Sequence, residues 1–285
     1  MTVTNAVETT MIWGTVSGAS MVGMVISLLL SVVLPIFLGI FIYKKTKAWV
    51  PAFFIGCGIF VGFAMILEQI CHAIVLTVTG SAIRDNIWLY AIYGGLAAAL
   101  FEECGRWIAM TFCLKKHLTR ENALMYGAGH GGFEAFYLLF FTMLNNFLIL
   151  GMSSMSNLLT AAMINGGLME KTMTALEPAQ QEVTYHQLSV LWTTPAYQFY
   201  LAPVERISAI ALQIALSILV YSAVKTGRKL HLAAAFGLHF AVDFLTVICA
   251  AAIPTWALEL GLLLVVAVIC VVVYQLVYVQ MAEKK

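Results

Sequence analysis

The stretch IWLYAIYGGLAAALFEECGRWIAMTFC, residues 87–113, decides the fold class of this chain. It is long and apolar enough to cross a bilayer as one helix, which takes about 20 residues. It also holds Glu102, Glu103 and Arg106. A lone charge at the centre of such a helix costs roughly 2.5–3.5 kcal/mol on insertion scales. A purely structural helix has no need of three such residues, so the stretch predicts a functional site inside the membrane.

The composition of the whole chain is that of a polytopic membrane protein. Of its 285 residues, 62% are hydrophobic and 10% are charged, and the mean hydropathy is +0.93. These values predict an all-α membrane bundle in a single domain rather than a soluble protein. Hydropathy predicts seven spans, at residues 21–43, 50–79, 87–113, 122–150, 201–224, 231–253 and 256–281. Residues 151–200 are left as one long outer loop.

Basic residues predict the orientation of these spans. Eleven lysines and arginines fall at one set of span ends, whereas Arg84 and Lys171 fall in the opposite loops. By the positive-inside rule, the amino terminus is outside and the carboxyl terminus is cytoplasmic. The net charge of +1 gives no reason to expect a nucleic-acid partner. The eleven basic residues are Lys44, Lys45, Lys47, Lys115, Lys116, Arg120, Lys225, Arg228, Lys229, Lys284 and Lys285.

Two further spans each carry a histidine with an acid four residues later, His130 with Glu134 and His239 with Asp243. This spacing places both side chains of each pair on one helical face. Each histidine lies eight residues from the predicted cytoplasmic end of its span, and the adjacent glutamates lie ten or eleven residues from the end of theirs. At 1.5 Å per residue, all three groups are predicted at one depth, between the midplane and the cytoplasmic third.

These residue types suggest hydrolysis. Adjacent residues on a helix diverge by about 100°, so Glu102 and Glu103 cannot face the same point. One carboxylate is expected to face a cavity as general base on water, while the other orients it or pairs with Arg106. The two histidines would bind a metal ion or donate hydrogen bonds to an oxyanion, with the i+4 acids orienting them. Which glutamate is the base stays open.

A second polar set is predicted in the outer half of the membrane. It consists of Glu68 with His72 on the second span and Glu205 with Arg206 at the start of the fifth. Counting along the spans places the first pair too far outward to join the main plane directly. Glu205 and Arg206 suit either a structural ion pair or a functional role. The six cysteines form no C-x-x-C pair and are predicted to be small packing residues.

The Glu-Glu-x-x-Arg helix followed by two histidine helices resembles a superfamily of intramembrane proteases. That superfamily includes the CAAX prenyl endopeptidases and bacteriocin-processing proteins, with PrsW-type proteases and the Aph subunit of gamma-secretase as distant members. The seven-span layout and the Gly-His-Gly-Gly-Phe-Glu run at residues 129–134 are most similar to the bacterial YhfC group of intramembrane metalloproteases. The resemblance covers spans two to six and implies a multi-pass protein of the bacterial cytoplasmic membrane.

The resemblance implies that the adjacent glutamates are the catalytic pair, with the arginine as their partner and the two histidines as later motifs. A bound metal would be zinc held by His130, His239 and Glu103, the alternative being a glutamate-activated water without metal. Two residues rather than the three typical of CAAX-type members separate the second glutamate from the arginine. Asp243 replaces their asparagine. The predicted catalytic residues are Glu102, Glu103, Arg106, His130, Glu134, His239 and Asp243.

The function predicted from the sequence is therefore an intramembrane peptidase. It would hydrolyse a peptide or membrane-protein substrate near the cytoplasmic half of the bilayer, surrounded by membrane lipid. A proton- or cation-coupled transporter could use the same ionisable residues as a relay. Transporters often contain inverted repeats. Here the histidine–acid pattern repeats on two spans that enter the membrane from the same side, and the sequence shows no inverted copy of it. A non-catalytic scaffold like the Aph subunit is the third alternative.

Overall fold

A computed structural model of the protein describes residues 11–150, 162–174 and 177–281, with the backbone alone for residues 139–150, 172, 178 and 179. All regular structure in these residues is helical. In chain order the helices are α1 (Gly18–Thr46), α2 (Pro51–Thr79), α3 (Ile87–Cys113), α4 (Arg120–Leu150), α5 (Leu168–Met173), α6 (Pro178–Thr193), α7 (Ala196–Thr226), α8 (Lys229–Ala250) and α9 (Thr255–Val279).

The predicted all-α membrane bundle is confirmed. Among the described helices, six are long and apolar enough to cross a membrane, namely α1, α2, α3, α7, α8 and α9. Helix α4 coincides with the remaining predicted span and has 31 residues. It is about 46 Å long at 1.5 Å per residue, but it is not among the six. The count of seven spans and the orientation therefore stay predictions.

The segment predicted as one outer loop contains regular structure. Helices α5 and α6 lie within it, and α7 begins at Ala196, five residues before the predicted fifth span. Helix α6 begins at Pro178, a residue type favoured in the first turn. Its sequence PAQQEVTYHQLSVLWT has no apolar stripe at the helical period, which explains why hydropathy did not predict it. Residues 151–161 and 175–176 of this segment lie outside the described residues.

The chain divides into two compact units. One comprises Met1–Leu28 and Leu139–Tyr200, and its small apolar core includes Val16, Ile164 and Leu191. The other comprises Leu29–Leu138 and Leu201–Lys285 and contains every residue of the predicted site. The main core of this second unit includes the fully buried side chains of Met110, Tyr126 and Leu216. Met110 lies near the end of α3 and Tyr126 near the start of α4, and Leu216 on α7 joins them, so the core closes that end of the unit.

Glycines bring the backbones of the second unit into contact around His130. A Cβ at Gly129 would overlap the backbone of Phe53 on α2, and one at Gly56 would overlap the backbone of Tyr126 on α4. On another face of α4, a Cβ at Gly127 would press against the backbone of α7. Small residues commonly permit such close helix approach in membranes. The glycine-rich run therefore places the His130 helix directly against two neighbouring helices.

Replacing Gly129 by alanine is expected to lower stability by about 1–3 kcal/mol, because the added methyl group has no space against the Phe53 backbone. Gly237 on α8 is a matched control, since a Cβ there would have no described neighbour within 4 Å. Its replacement by alanine should be neutral or stabilising by up to about 1 kcal/mol, through helix propensity alone. Thermal unfolding of the two variants in detergent measures the difference. Equal tolerance of both changes would contradict the close approach of α2 and α4.

Candidate active site

The predicted site residues converge in the structure from three helices. Helix α3 supplies the adjacent glutamates and the arginine, α4 supplies His130 and α8 supplies His239. All of these side chains are buried, and Arg106 and His130 have no exposed surface. Burial of ionisable groups at membrane depth is costly unless they are paired, and each of these side chains has a partner described below.

Glu102 is the centre of this group. Its Oε2 atom lies 2.9 Å from His130 Nε2 and 3.9 Å from His239 Nε2. The same oxygen accepts a hydrogen bond of 2.9 Å from the side-chain amide of Gln213 on α7. Two imidazole nitrogens from separate helices therefore face one carboxylate oxygen. This arrangement brings together the three polar groups that sequence counting placed at a common depth.

Glu103 has a different environment from its neighbour. Its Oε1 atom accepts from Arg106 Nη1 and lies 2.8 Å from His239 Nδ1. Glu103 therefore contacts the ring nitrogen of His239 that faces away from Glu102. A carboxylate in this position keeps the Nδ1 proton in place and leaves Nε2 to face Glu102. The geometry distinguishes the two glutamates, which the sequence could not do.

The two acids predicted to orient the histidines differ from each other. Asp243 Oδ2 lies 3.6 Å from His239 Nε2, close enough for electrostatic attraction although beyond hydrogen-bond length. Glu134 instead accepts a 2.7 Å hydrogen bond from Gln213 Nε2, and its other oxygen lies 4.0 Å from Arg206 Nη1. The Nδ1 atom of His130 faces the hydroxyl of Tyr126 at 3.5 Å. Glu134 thus contacts α7 rather than the histidine one turn before it.

A cavity of about 540 Å³ lies beside Glu102. Its lining on α3 runs from Tyr90 to Glu102, and its lining on α8 runs from His239 to Val247. The cavity therefore extends from Glu102 toward the end of the unit where α3 begins and α8 ends. In the predicted orientation this is the outer side. The structure thus gives the site a chamber with several polar groups on the side where α3 begins, and an apolar core on the side where α3 ends.

Three residues of the second polar set, His72, Glu205 and Arg206, line the same cavity. His72 Nε2 lies 3.2 Å from Glu68 Oε1, and His72 Nδ1 lies 2.8 Å from the Tyr93 hydroxyl. Glu68 ends a segment of α2, Val61–Glu68, in which the helix widens to a π-type turn, a feature frequent at functional sites. Glu205 and Arg206 pair with each other in the cavity wall. His72 contacts Glu68 and Tyr93 rather than the main plane, so the expectation that this pair does not join that plane directly stays a prediction, although His72 and Glu102 line one chamber.

Gln213 is the site residue that sequence reasoning missed. It is 3% exposed and hydrogen-bonds to residues of both α3 and α4. Its signal was a lone amide in the apolar run ISAIALQIALSILV, residues 207–220. A polar side chain inside a membrane span faces the bundle interior as a rule. The sequence could have nominated Gln213, but not its partners, which lie more than 75 residues away in the chain.

The donor types around Glu102, a carboxylate and two imidazoles, are those that bind metal ions such as zinc in proteins. Among the described residues, however, no group of three or more His, Cys, Asp or Glu side chains is arranged so that it could hold a metal ion. Donors around tetrahedral zinc lie roughly 3.3 Å apart. The two separations from Glu102 Oε2, 2.9 Å to His130 and 3.9 Å to His239, lie on either side of that value. Glu102, His130 and His239 would therefore have to rearrange to hold an ion, and the predicted ligand Glu103 faces the opposite ring nitrogen of His239.

Membrane-length helices that enclose a carboxylate and two imidazoles define a polytopic membrane protein with a buried cluster of ionisable side chains. The sequence matches the YhfC intramembrane metalloprotease family over residues 30–270, and the chain belongs to that family. The Bacillus subtilis (strain 168) protein called "Uncharacterized membrane protein YhfC" is 40% identical over 233 residues, which cover 79% of this chain and 83% of the relative. No solved structure matches the chain. The protein is a multi-pass protein of the bacterial cell membrane.

Proposed function

We propose that this protein is an intramembrane peptidase in which Glu102 activates the water that attacks a peptide bond. One observation carries the proposal: Nε2 atoms from two helices face the same oxygen of Glu102, which lines the cavity. A general base must lie within hydrogen-bond reach of the proton it takes, and Glu102 is the member of the glutamate pair that lines this cavity. Glu102 then accepts the proton of the attacking water.

The groups around Glu102 supply the remaining parts of an acyl-transfer site. The ring of His239 stabilises the negative charge that develops on the carbonyl oxygen, since preformed positive or donor groups at that point lower the barrier. Glu103 holds His239 in orientation through Nδ1, and Arg106 holds Glu103. Asp243 adds negative charge near His239, which favours the charged form of that ring or a bound cation.

The donor types also suit the metal that the family description implies, although the side chains would have to rearrange to hold it. Glu102, His130 and His239 would hold it, and it would supply Lewis-acid activation of the water and of the substrate carbonyl. Without an ion, the Nε2 proton of His239 stabilises the oxyanion; as a ligand, His239 would lose that proton, and that task would fall to the metal. The scissile bond would lie at the depth of Glu102, which sequence counting places between the midplane and the cytoplasmic third. Substrate and water would reach Glu102 through the cavity, which opens toward the outer side in the predicted orientation.

Zinc content tests the metal part of this proposal. Purified wild type is expected to carry about one zinc per chain, and His130→Ala and His239→Ala should each lose it, because two ligands hold zinc poorly. His72→Ala is the matched control, since His72 lines the cavity but contacts Glu68 and Tyr93 instead of Glu102. Elemental analysis of the detergent-purified proteins gives the answer. Folded wild type without stoichiometric metal would leave Glu102 to activate water unaided.

Cleavage itself is tested in cells. New protein amino termini are compared by mass spectrometry between bacterial membranes that contain the wild type and membranes that contain Glu102→Gln. The proposal predicts termini within or beside membrane spans that form with the wild type alone. If both membranes carry the same termini, the peptidase proposal fails. Glu102 would then belong to an ion pathway or a scaffold, which ion-flux and assembly measurements separate.

A further inference from the structure

Gln213 lies in the cavity wall between Glu102 on α3 and Glu134 on α4. Its side chain hydrogen-bonds to Arg106 and Glu102 on α3 and to Glu134 on α4. Its aliphatic stem packs against α4 at Gly131, where a Cβ would come within 2.8 Å of Gln213 Cβ. The rotamer is therefore constrained by close packing as well as by hydrogen bonds.

The hydrogen bonds of Gln213 determine which way its amide points. A guanidinium has donors only, so the atom that faces Arg106 Nη2 must be the amide oxygen. The amide nitrogen then has two hydrogens, and two carboxylate oxygens lie within reach, Glu102 Oε2 at 2.9 Å and Glu134 Oε2 at 2.7 Å. Each of these Gln213 contacts has one consistent assignment of donor and acceptor. No other orientation of the amide satisfies all three partners.

We propose that Gln213 is a positioning residue for the reaction, holding Glu102 Oε2 between the two Nε2 atoms and coupling it to Glu134. This inference rests on the proposed peptidase function. The donated hydrogen bond fixes the direction of the carboxylate lone pairs, and therefore where a water must lie to be activated. Through Glu134, which is 4.0 Å from Arg206, the same amide connects the site to the charged part of the cavity.

A purely structural role makes a different prediction. If Gln213 mattered because it accepts from Arg106, then Gln213→Glu would be mild, since a carboxylate of the same shape still accepts from the guanidinium. If it matters because it donates to Glu102 and Glu134, then Gln213→Glu is worse than Gln213→Met. The glutamate places a third carboxyl group against two others, whereas methionine leaves a neutral side chain of similar length.

The activity test compares the two variants on a substrate found from the new termini. We expect kcat to fall by roughly 10–100-fold in Gln213→Met, as for residues that orient active-site ligands, and further in Gln213→Glu. The KM should change by no more than about twofold, because Gln213 acts on the step that follows binding. Faster turnover by Gln213→Glu than by Gln213→Met would overturn the inference in favour of an Arg106 anchor.

A second measurement needs no turnover. The shift in unfolding temperature is measured for Gln213→Met, for Glu102→Met and for both changes together. Two side chains that act on each other give single shifts that do not add, so the double variant should lose less than the sum. Additive shifts would overturn the contact. Non-additive shifts together with no cleavage by the wild type would show that the Gln213–Glu102 contact exists but that the peptidase proposal is wrong. The failure of this inference and the failure of the proposed function are therefore distinguishable.

Discussion

Replacing Arg106 by methionine is expected to lower the free energy of unfolding by about 3–5 kcal/mol, because it leaves buried acids without their cation. Arg106 has no exposed surface, donates to Glu103 and Gln213, and lies 4.0 Å from Glu102 Oε2. Arg84→Met is the control, since Arg84 is exposed and contacts only a backbone carbonyl of its own loop at 3.3 Å. That change should stay within about 0.5 kcal/mol.

Unfolding of both variants in detergent micelles, followed by circular dichroism, measures this difference. A further variant separates charge from packing: Glu103→Gln added to Arg106→Met should recover part of the lost stability, because it removes the carboxylate left without a partner. The account would be contradicted if Arg106→Met were as stable as Arg84→Met. In that case the buried network would not depend on its cation.

The largest expected effect on catalysis is that of Glu102→Gln. An amide of nearly the same shape cannot accept the proton of water, so cleavage should fall by about 10²–10⁴-fold. Glu103→Gln is the matched comparison on the same helix. Glu103 acts on His239 through Nδ1 instead of facing the cavity, so its change should cost about 10–100-fold. Equal loss in both variants would remove the division of roles that the structure suggests.

Much of the fold could be predicted from local sequence signals. The third span, residues 87–113, coincides with α3, because a long apolar run between a polar loop and a lysine pair has only one helical interpretation. Helix α6 was not predicted because its sequence has neither a long apolar run nor charged residues that mark its ends. Span ends elsewhere differ by a few residues, as at Ala196 instead of 201, since helices continue past the hydrocarbon where hydropathy no longer marks them.

The site was predictable as a set of residues but not as a network. Equal depth along three spans indicated that Glu102, His130 and His239 could meet, and they lie together in the structure. Helical spacing alone could not say that Glu134 turns to Gln213 rather than to His130, because that contact depends on how α4 packs against α7. The cavity is likewise a property of the packed helices. Its extent along α3 and α8 has no signature in any one span.

Cleavage by the purified protein in liposomes is the most direct test of the central claim, which is that Glu102 activates water for peptide hydrolysis. A substrate identified from the new amino termini is reconstituted with wild type or with Glu102→Gln, and products are followed by mass spectrometry. The account predicts cleavage by the wild type at one bond within the membrane, and a rate reduced by at least about 10²-fold in the folded variant. Undiminished cleavage by Glu102→Gln would contradict it.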